Sequence, residues 1–375
     1  MKVTVSQQQL SHGLSVVSRA VSPRSTLPVL ANILVATDEG RLRLSATNLE
    51  LGISCWIGAQ IAEEGSTTVP ARTFTDLVST LPPENVVLAL NPKNQTLNVR
   101  CGSSNTDIRG IDAQEFPPMP VPDLKDGIDL GVADFKEMIQ QVVFAASTDD
   151  ARPVLQGVSM KVEEGSVTLA ATDGFRISVR KAELSNSGEK QLGFIIPARA
   201  LSELARIATD GDQTITMVAP PGRGQVLFHL KDAELVTQLI DGNFPDYKAI
   251  IPKGFKTTTI VSTADFLKAC KRAEIIARDG SNIIRLDIQT GGDKPGLINI
   301  TAQSEETGSS DNQVDSSTEG PGLLIAFNVR YLREGLEVVK TPNVALETNA
   351  NNTPGMLRQV GDSNFQHVIM PMHLG

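Results

Sequence analysis

The chain has 375 residues, which is too long for one ordinary core and suits two to four domains. It carries 34 Lys and Arg against 43 Asp and Glu, a net charge of −9, which argues against a surface that is basic throughout, as a nucleic-acid footprint would be. Three distant Cys exclude a zinc ribbon or a disulfide framework. With no apolar run near ~18 residues and no secretory leader, we expect a cytoplasmic protein without a membrane span.

The sequence repeats itself three times at an interval of roughly 125 to 131 residues. The PVL of residues 28–30 recurs at 153–155, and the AT of residues 46–47 recurs at 171–172. A second block places Arg72, Arg199 and Arg330 at equivalent positions. Because several blocks recur in the same order, the sequence predicts three related domains, at residues 1–121, 127–252 and 253–375.

Helical and strand-like patterns alternate in the same order throughout the chain. In the middle domain Asp134 is a candidate helix cap, and Pro197 is a candidate first-turn residue of the next helix. The predicted helices cover residues 6–20, 71–81, 133–147, 197–209, 263–279 and 328–340. The predicted strands of the middle domain cover residues 157–162, 166–172, 175–181, 192–196, 214–218, 225–230 and 235–240. Each domain is therefore predicted to contain two βαβββ halves.

This order of elements predicts an α+β fold in which the helices share one side. A helix can cover only one face of a sheet, so six equivalent helices should lie on one side and the sheets on the other. Strands should also pair across domain borders, because open sheet edges are a liability. We expect the acidic stretch Ser304–Gly320 to form a polar edge strand with a flexible approach.

The predicted helices are slightly basic, whereas the rest of the chain is acidic. Such a layer would attract a polyanion to one face through phosphate contacts, without base recognition. The alternative is that Lys and Arg are present as good helix formers. Charge alone leaves both interpretations open.

The chain resembles the bacterial DNA polymerase III beta subunit, the sliding clamp, from end to end. The matching segments are LPVLANILVATDEGRLRLSATNLE (27–50), TTVPARTF (67–74), LAATDGFRISV (169–179), LVTQLIDGNFPDYKAIIP (235–252), FNVRYL (327–332) and VIMPMHL (368–374). The resemblance implies three repeated domains of the DNA-clamp fold, each with two helices and two antiparallel four-stranded sheets. Two chains would close head to tail into a six-domain ring, whose twelve helices at about 10 Å spacing would surround a hole of roughly 30 Å.

The function implied by this resemblance is topological, not catalytic. The ring would encircle duplex DNA, touch its phosphates without sequence preference, and tether the replicative DNA polymerase subunit, which raises its effective concentration at the primer end. The clamp loader and other proteins with a clamp-binding motif would be further partners. No cofactor, metal or membrane is implied.

The resemblance also implies three sets of site residues. Arg24, Arg72 and Arg199 would contact DNA, although the last two could instead serve local carboxylates. Ile108, Ile275 and Ile276 would form the dimer interface, unless they belong to domain cores. The partner-peptide pocket would comprise Leu155, Thr172, Gly174, Phe175, Arg176, Ile177, Pro245, Ile250, Asn328, Tyr331, Val368, Met370, Pro371 and Met372.

Residues alone would favour simpler interpretations of part of this pocket. Val368–Met372 would be a terminal core strand, and Gly174 an ordinary turn. The sequence also differs from the family pattern where aromatic, His or Arg residues can occur, at Pro153, Val154, Phe175, Ala249 and His373.

Two other classes of protein remain as alternatives to a clamp. For an enzyme, the Asp149-Asp150 pair would be a metal site, although a solvated loop fits it better; His12, His229, His367 and His373 have no metal-like spacing. A scaffold of three domains that binds only peptides is the second alternative.

Overall fold

The computed structural model describes residues 1–23, 25–121, 123–184, 191–209, 211, 213–220, 222–291 and 295–373. They form two compact units, Met1–Ala133 with Glu203–Leu239, and Asp134–Ser202 with Ile240–Gly375. Among the described helices, none combines the length and apolar character that a membrane crossing requires.

The helices lie where the sequence predicts them, but two of their starts differ. Asp134 is not a cap, because its helix already begins at Val132 and Asp134 lies inside the first turn. Pro197 is the last residue of a strand and precedes its helix. The described helices are α1 (Gln7–Val17), α2 (Ala71–Thr80), α3 (Val132–Val142), α4 (Ala198–Ile207), α5 (Thr263–Ala277) and α6 (Val329–Glu337).

The strands follow the predicted βαβββ order twice in each third of the chain. The first third contains β1 (Lys2–Ser6), β2 (Asn32–Asp38), β3 (Arg41–Thr47), β4 (Leu51–Gly58), β5 (Gln60–Glu63), β6 (Ser66–Pro70), β7 (Asn85–Asn91), β8 (Thr96–Cys101) and β9 (Ser104–Arg109). The middle third contains β10 (Ile128–Gly131), β11 (Gly157–Glu163), β12 (Ser166–Thr172), β13 (Arg176–Glu183), β14 (Leu192–Pro197), β15 (Thr214–Val218), β16 (Gln225–His229) and β17 (Ala233–Gln238). The last third contains β18 (Thr257–Ser262), β19 (Ile283–Gln289), β20 (Gly296–Ser304), β21 (Gly308–Glu319), β22 (Leu323–Asn328), β23 (Asn343–Thr348), β24 (Gly355–Gln359) and β25 (Asp362–Ile369).

The first unit contains two antiparallel sheets. The five-stranded sheet has the order β5-β1-β7-β8-β9, with β5 added to the four predicted strands. The eight-stranded sheet has the order β10-β15-β16-β17-β4-β3-β2-β6, and its centre joins β4 to β17 through the pairs Leu51↔Thr237 to Cys55↔Ala233. Strands of the first and middle thirds therefore pair with each other, as predicted.

The second unit contains one sheet of 12 strands, in the order β14-β11-β12-β13-β25-β24-β23-β18-β21-β20-β19-β22. Here β13 pairs with β25, from Arg176↔Ile369 to Arg180↔Phe365. The expected four-stranded sheets are thus present as segments of larger sheets, because pairing between repeats and the β18–β21 contact join them.

The acidic stretch forms the expected polar strand, β21, but not a complete edge. Residues 316–319 pair with β18 on one side, while residues 308–316 pair with β20 on the other. Within the described part of the chain, residues 308–315 therefore have a strand partner on one side only. The expectation of an edge strand is wrong for the last four residues.

The cores lie between helices and sheets. In the first unit α1 packs on β3, β4 and α2, and in the second unit α5 packs on β20, β21 and α6. The helix faces bury apolar residues at helical spacing, such as Leu10 and Leu14 in α1 or Phe266 and Ala273 in α5. Burial of these faces fixes which side chains of the same helices remain exposed.

Candidate functional site

A tight loop between β12 and β13 presents the first candidate pocket residues. Gly174 has a φ of +94°, which favours glycine, and a Cβ there would lie 3.3 Å from an Arg152 nitrogen. The Thr172 hydroxyl accepts from the Gly174 N–H at 3.0 Å and donates to the Arg176 carbonyl at 2.7 Å. The loop holds the Phe175 ring outward, with 56% of the residue exposed. Gly174 is therefore a turn residue whose positive φ favours glycine, as the residues alone predict, and it lies next to the exposed Phe175.

The Arg176 guanidinium ties this loop to two helical segments. Its Nε donates to Asp173 at 3.1 Å, one terminal nitrogen donates to Glu334 at 2.5 Å, and the other donates to the Phe144 carbonyl at 2.7 Å. The cation also lies 4.5 Å from the centre of the Tyr331 ring. Because Arg176 is only 5% exposed, it acts as a buried connector beneath the loop.

Glu334 is held ionised by the same contacts. Burial alone would raise the pKa of this carboxyl, but hydrogen bonds from Arg330 and Arg176 bring its pKa below the ordinary value. Glu334 thus links α6 to β13 as a carboxylate paired with the guanidinium groups of Arg176, Arg330 and Arg333.

The C-terminal strand runs beside the loop and continues past it. Ile177 pairs with Val368 in the β13–β25 ladder, and the Met370 N–H donates to the Phe175 carbonyl at 2.9 Å. The Met372 N–H then donates to the Ala326 carbonyl at 2.8 Å. Val368–Met372 is therefore only partly a core strand, because Val368 is 2% exposed and Met370 is 39% exposed.

Apolar side chains form the floor of this region. Ile177 and Val368 are buried against Tyr247 and Met356, and Phe244 meets Tyr247 edge to face with ring centres 6.2 Å apart. The segment around Tyr247 carries two more predicted residues, the exposed Pro245 and Ile250. The result is a buried apolar floor with exposed apolar side chains beside it, an arrangement suited to the apolar ends of a peptide.

The remaining predicted pocket residues connect to the loop from two directions. Leu155 lies in the 3₁₀ turn Pro153–Gln156 and is half-buried, and the neighbouring Arg152 donates to the Asp173 carbonyl at 2.9 Å. On the other side Asn328 caps α6, with its side chain accepting from the Arg330 N–H at 3.0 Å. One continuous set of contacts thus joins the segments that carry the predicted residues.

Sequence reasoning missed His367, which lies in this region and is completely buried. Its Nε2 lies 3.1 Å from the Tyr331 carbonyl, which only accepts, so Nε2 carries the proton and Nδ1 accepts from the Ser178 hydroxyl at 2.7 Å. Burial, with the charge of Arg176, lowers the pKa of His367 to about 3. The available signal was a polar residue on the inward face of β25, between the apolar positions Phe365 and Ile369.

The candidate DNA-contacting residues occupy equivalent helix starts. Arg72 and Arg199 are each the second residue of their helix and are exposed. Arg72 lies 3.7 Å from Asp76 on the same helix, so a local carboxylate is within reach. Arg24 lies outside the described residues.

The Asp149-Asp150 pair is engaged in its own loop. Asp149 accepts from the Ala151 N–H at 3.0 Å and from Arg152 at 3.0 Å, and Asp150 accepts from Gln156 at 2.8 Å. The backbone hydrogen bond from Ala151 is the main cause of a lowered pKa at Asp149. In the described part of the chain, no group of three or more His, Cys, Asp or Glu could hold a metal ion.

The candidate dimer residues differ in exposure. Ile275 is 57% exposed on α5, whereas Ile276 is partly buried against the core of its unit. Ile108 on β9 is only 4% exposed, so its side chain is already buried within its own chain. Exposure alone thus favours an interface role for Ile275.

Comparisons with known proteins agree along the whole chain. The DNA polymerase III beta subunit family matches with its N-terminal domain at residues 1–120, its central domain at 129–246 and its C-terminal domain at 248–373. The beta sliding clamp of Synechococcus elongatus is 35% identical over 380 residues and covers 100% of both chains, and that of Staphylococcus epidermidis is 31% identical over 99% of both.

Solved structures give the same result. The DNA polymerase sliding clamp of Bacillus subtilis superposes with a TM-score of 0.93 at 30% identity, covering 100% of both chains. A Pseudomonas aeruginosa sliding clamp bound to griselimycin gives 0.92 at 27% identity over 100% of both.

Three repeats that share their sheets, with an apolar surface region beside the last strand, define a clamp-type α+β protein. The chain belongs to the bacterial DNA polymerase III beta subunit family, the sliding clamps. It is a DNA sliding clamp and a non-catalytic processivity factor, which excludes the enzyme alternative.

Proposed function

We propose that two copies of this chain close head to tail into a ring around duplex DNA in the cytoplasm. The ring holds the replicative polymerase, the clamp loader and other motif-bearing proteins at the DNA through one peptide pocket per chain. The domains of this proposal keep the boundaries 1–121, 127–252 and 253–375. Membership of the clamp family and the pattern of strand pairing support it.

The strand pairing that supports ring closure is the single observation that carries this proposal. The last strand of the middle third, β17, pairs with β4, and the last strand of the final third, β25, pairs with β13. Their equivalent in the first third, β9, ends its sheet in the described residues. The equivalent of β4 and β13 is β21, whose residues 308–315 have a partner only in β20 there. Pairing β9 with β21 of a second copy satisfies both edges, and two such contacts close a ring.

The DNA-contacting set proposed here is Arg24, Arg72 and Arg199. The two exposed arginines occupy the same place in equivalent helices, which gives repeated positive charge without base-reading groups. Such contacts hold phosphates weakly enough for the ring to slide. Replacing both with Glu should weaken binding to linear duplex DNA and flatten the salt dependence of that binding, while the closed ring still remains on circular DNA. Unchanged salt dependence would remove these residues from the DNA contact.

The peptide pocket proposed here takes the apolar ends of short linear motifs. Phe175, Ile250 and Met370 are exposed although they are large and apolar, and they adjoin the buried floor at Ile177 and Val368. A flexible Met side chain adapts to several ligands. This chemistry fits motifs with Leu or Phe from several partners.

The pocket is tested with a fluorescent peptide that carries a clamp-binding motif. Met370→Ser should weaken binding about tenfold, because the substitution removes apolar contact with the ligand. Val360→Ser is a matched control, since Val360 is 38% exposed and Met370 is 39% exposed. Equal affinity of the Met370 variant and the wild type would contradict the pocket.

A further inference from the structure

Three equivalent helices carry the same pair of charged residues. The second residue of α2, α4 and α6 is Arg72, Arg199 or Arg330, and four residues later each helix has a carboxylate. The equivalent carboxylates are Asp76, Glu203 and Glu334.

Of these carboxylates, Glu203 is buried and Glu334 is half-buried, and each forms an ion pair with an arginine from the preceding third of the chain. Glu203 pairs with Arg19 at 3.3 Å, and its side chain is 10% exposed. Glu334 pairs with Arg176 at 2.5 Å, and its side chain is 16% exposed. At each of these two borders the strand ladders β4–β17 and β13–β25 also join the same two thirds. The ion pair thus accompanies the strand pairing wherever one third follows another.

The third carboxylate, Asp76, has no preceding third within the chain. Its side chain is 71% exposed and lies 3.7 Å from Arg72 of its own helix. It belongs to the same third as β9, the strand that ends its sheet in the described residues. Asp76 therefore has the position of Glu203 and Glu334 but not their burial.

We propose that Asp76 forms the third copy of this ion pair across the ring interface, with Arg272 of the partner subunit. This inference rests on the head-to-tail dimer proposed above. In that dimer the final third of one copy precedes the first third of the other, so the final third would supply the cation, as the first third does with Arg19 and the middle third does with Arg176 on β13.

Arg272 is the cation of α5 that the contacts of the chain favour. Arg272 is exposed on α5. When the N-cap residues Ser6 and Ser262 are aligned, Ile275 is the counterpart of Arg19, and Arg272 lies one helical turn before Ile275. Its Nε donates to the Asn312 side chain at 2.6 Å. Asn312 lies in the part of β21 that lacks a second strand partner, so Arg272 is held beside the edge that β9 of a second copy would join. The terminal guanidinium nitrogens can then reach a carboxylate on the joining copy.

Charge reversal tests the pair. Asp76→Arg and Arg272→Asp should each weaken the dimer about 10-fold per ion pair, hence about 100-fold per ring, because each ring has two copies of the contact. The double variant should recover most of the loss. The measurement is the dimer dissociation constant from sedimentation equilibrium at low and high salt.

Arg278→Asp is the matched control. Arg278 lies at the end of the same helix, 3.9 Å from its neighbour Asp279, and its reversal should change the constant much less. A wild type that stays monomeric at all concentrations would overturn the proposed ring itself. A dimeric wild type with no loss in the single variants, or no recovery in the double variant, would overturn this ion pair alone.

Discussion

Replacing Arg176 with Met should destabilise the second unit more than any exposed charge substitution on α6. The variant keeps an unbranched apolar stem but removes the guanidinium and its contacts to Asp173, Glu334 and the Phe144 carbonyl. Removing one member of a buried ion pair costs roughly 3–5 kcal/mol, because the other charge stays buried. Glu334 keeps Arg330 at 2.8 Å, so we expect the lower end, about 3 kcal/mol.

The assay is a urea titration of the wild type and the Arg176→Met variant. Both are measured at the same protein concentration, because dimer formation also affects the midpoint of unfolding. Arg330→Met is the control: it removes another partner of the same carboxylate, but Arg330 is 64% exposed in its side chain. That variant should lose less than about 1 kcal/mol. If the two variants lose the same free energy, Arg176 is not the connector described above.

Three further predictions concern the loop, the buried histidine and the interface. Gly174→Ala should lower the free energy of unfolding by about 1–2 kcal/mol and weaken peptide binding, because Gly174 has a positive φ. Gly193→Ala is the control: it should be neutral in both assays, because the space around a Cβ at Gly193 is open. His367→Gln should lower the free energy of unfolding at pH 7, but this loss should shrink by about 1.4 kcal/mol per pH unit between pH 6.5 and 4. The reason is that unfolded wild type gains a proton on His367 in this range, whereas the folded form, with a pKa of about 3, does not. A difference between variant and wild type that stays constant with pH would contradict the buried neutral imidazole. Ile275→Asp with Ile276→Asp should give monomers by sedimentation, because unpaired charge would be buried at the interface; a dimeric variant would remove these residues from it.

The sequence repeat predicted the order of elements well because each third meets the same packing problem. Apolar spacing placed α1 to α6 within a few residues, and the need to cover sheet edges predicted pairing between the thirds. Local signals failed at Asp134 and Pro197, because a strand runs directly into the helix at both places and shifts its start.

The site was predictable only in part. The pocket residues came from the resemblance to the clamp family. Among them, Gly174 suits the tight loop, and the exposed apolar side chains suit a surface that binds peptides. The buried bridges of Arg176 and His367 connect residues that are 158 and 189 positions apart in the chain. No local pattern specifies such partners, since they depend on which strands and helices meet.

The net charge of −9 initially argued against DNA, and a ring that encircles DNA without gripping it removes that objection. The measurement that tests this most directly is retention on DNA with and without free ends. Protein is loaded by the clamp loader onto a nicked circular plasmid, separated from free protein, and half of the sample is cut once with a restriction enzyme. Encirclement predicts stable retention on the circle and rapid loss from the linear form. Equal retention on both forms would contradict it.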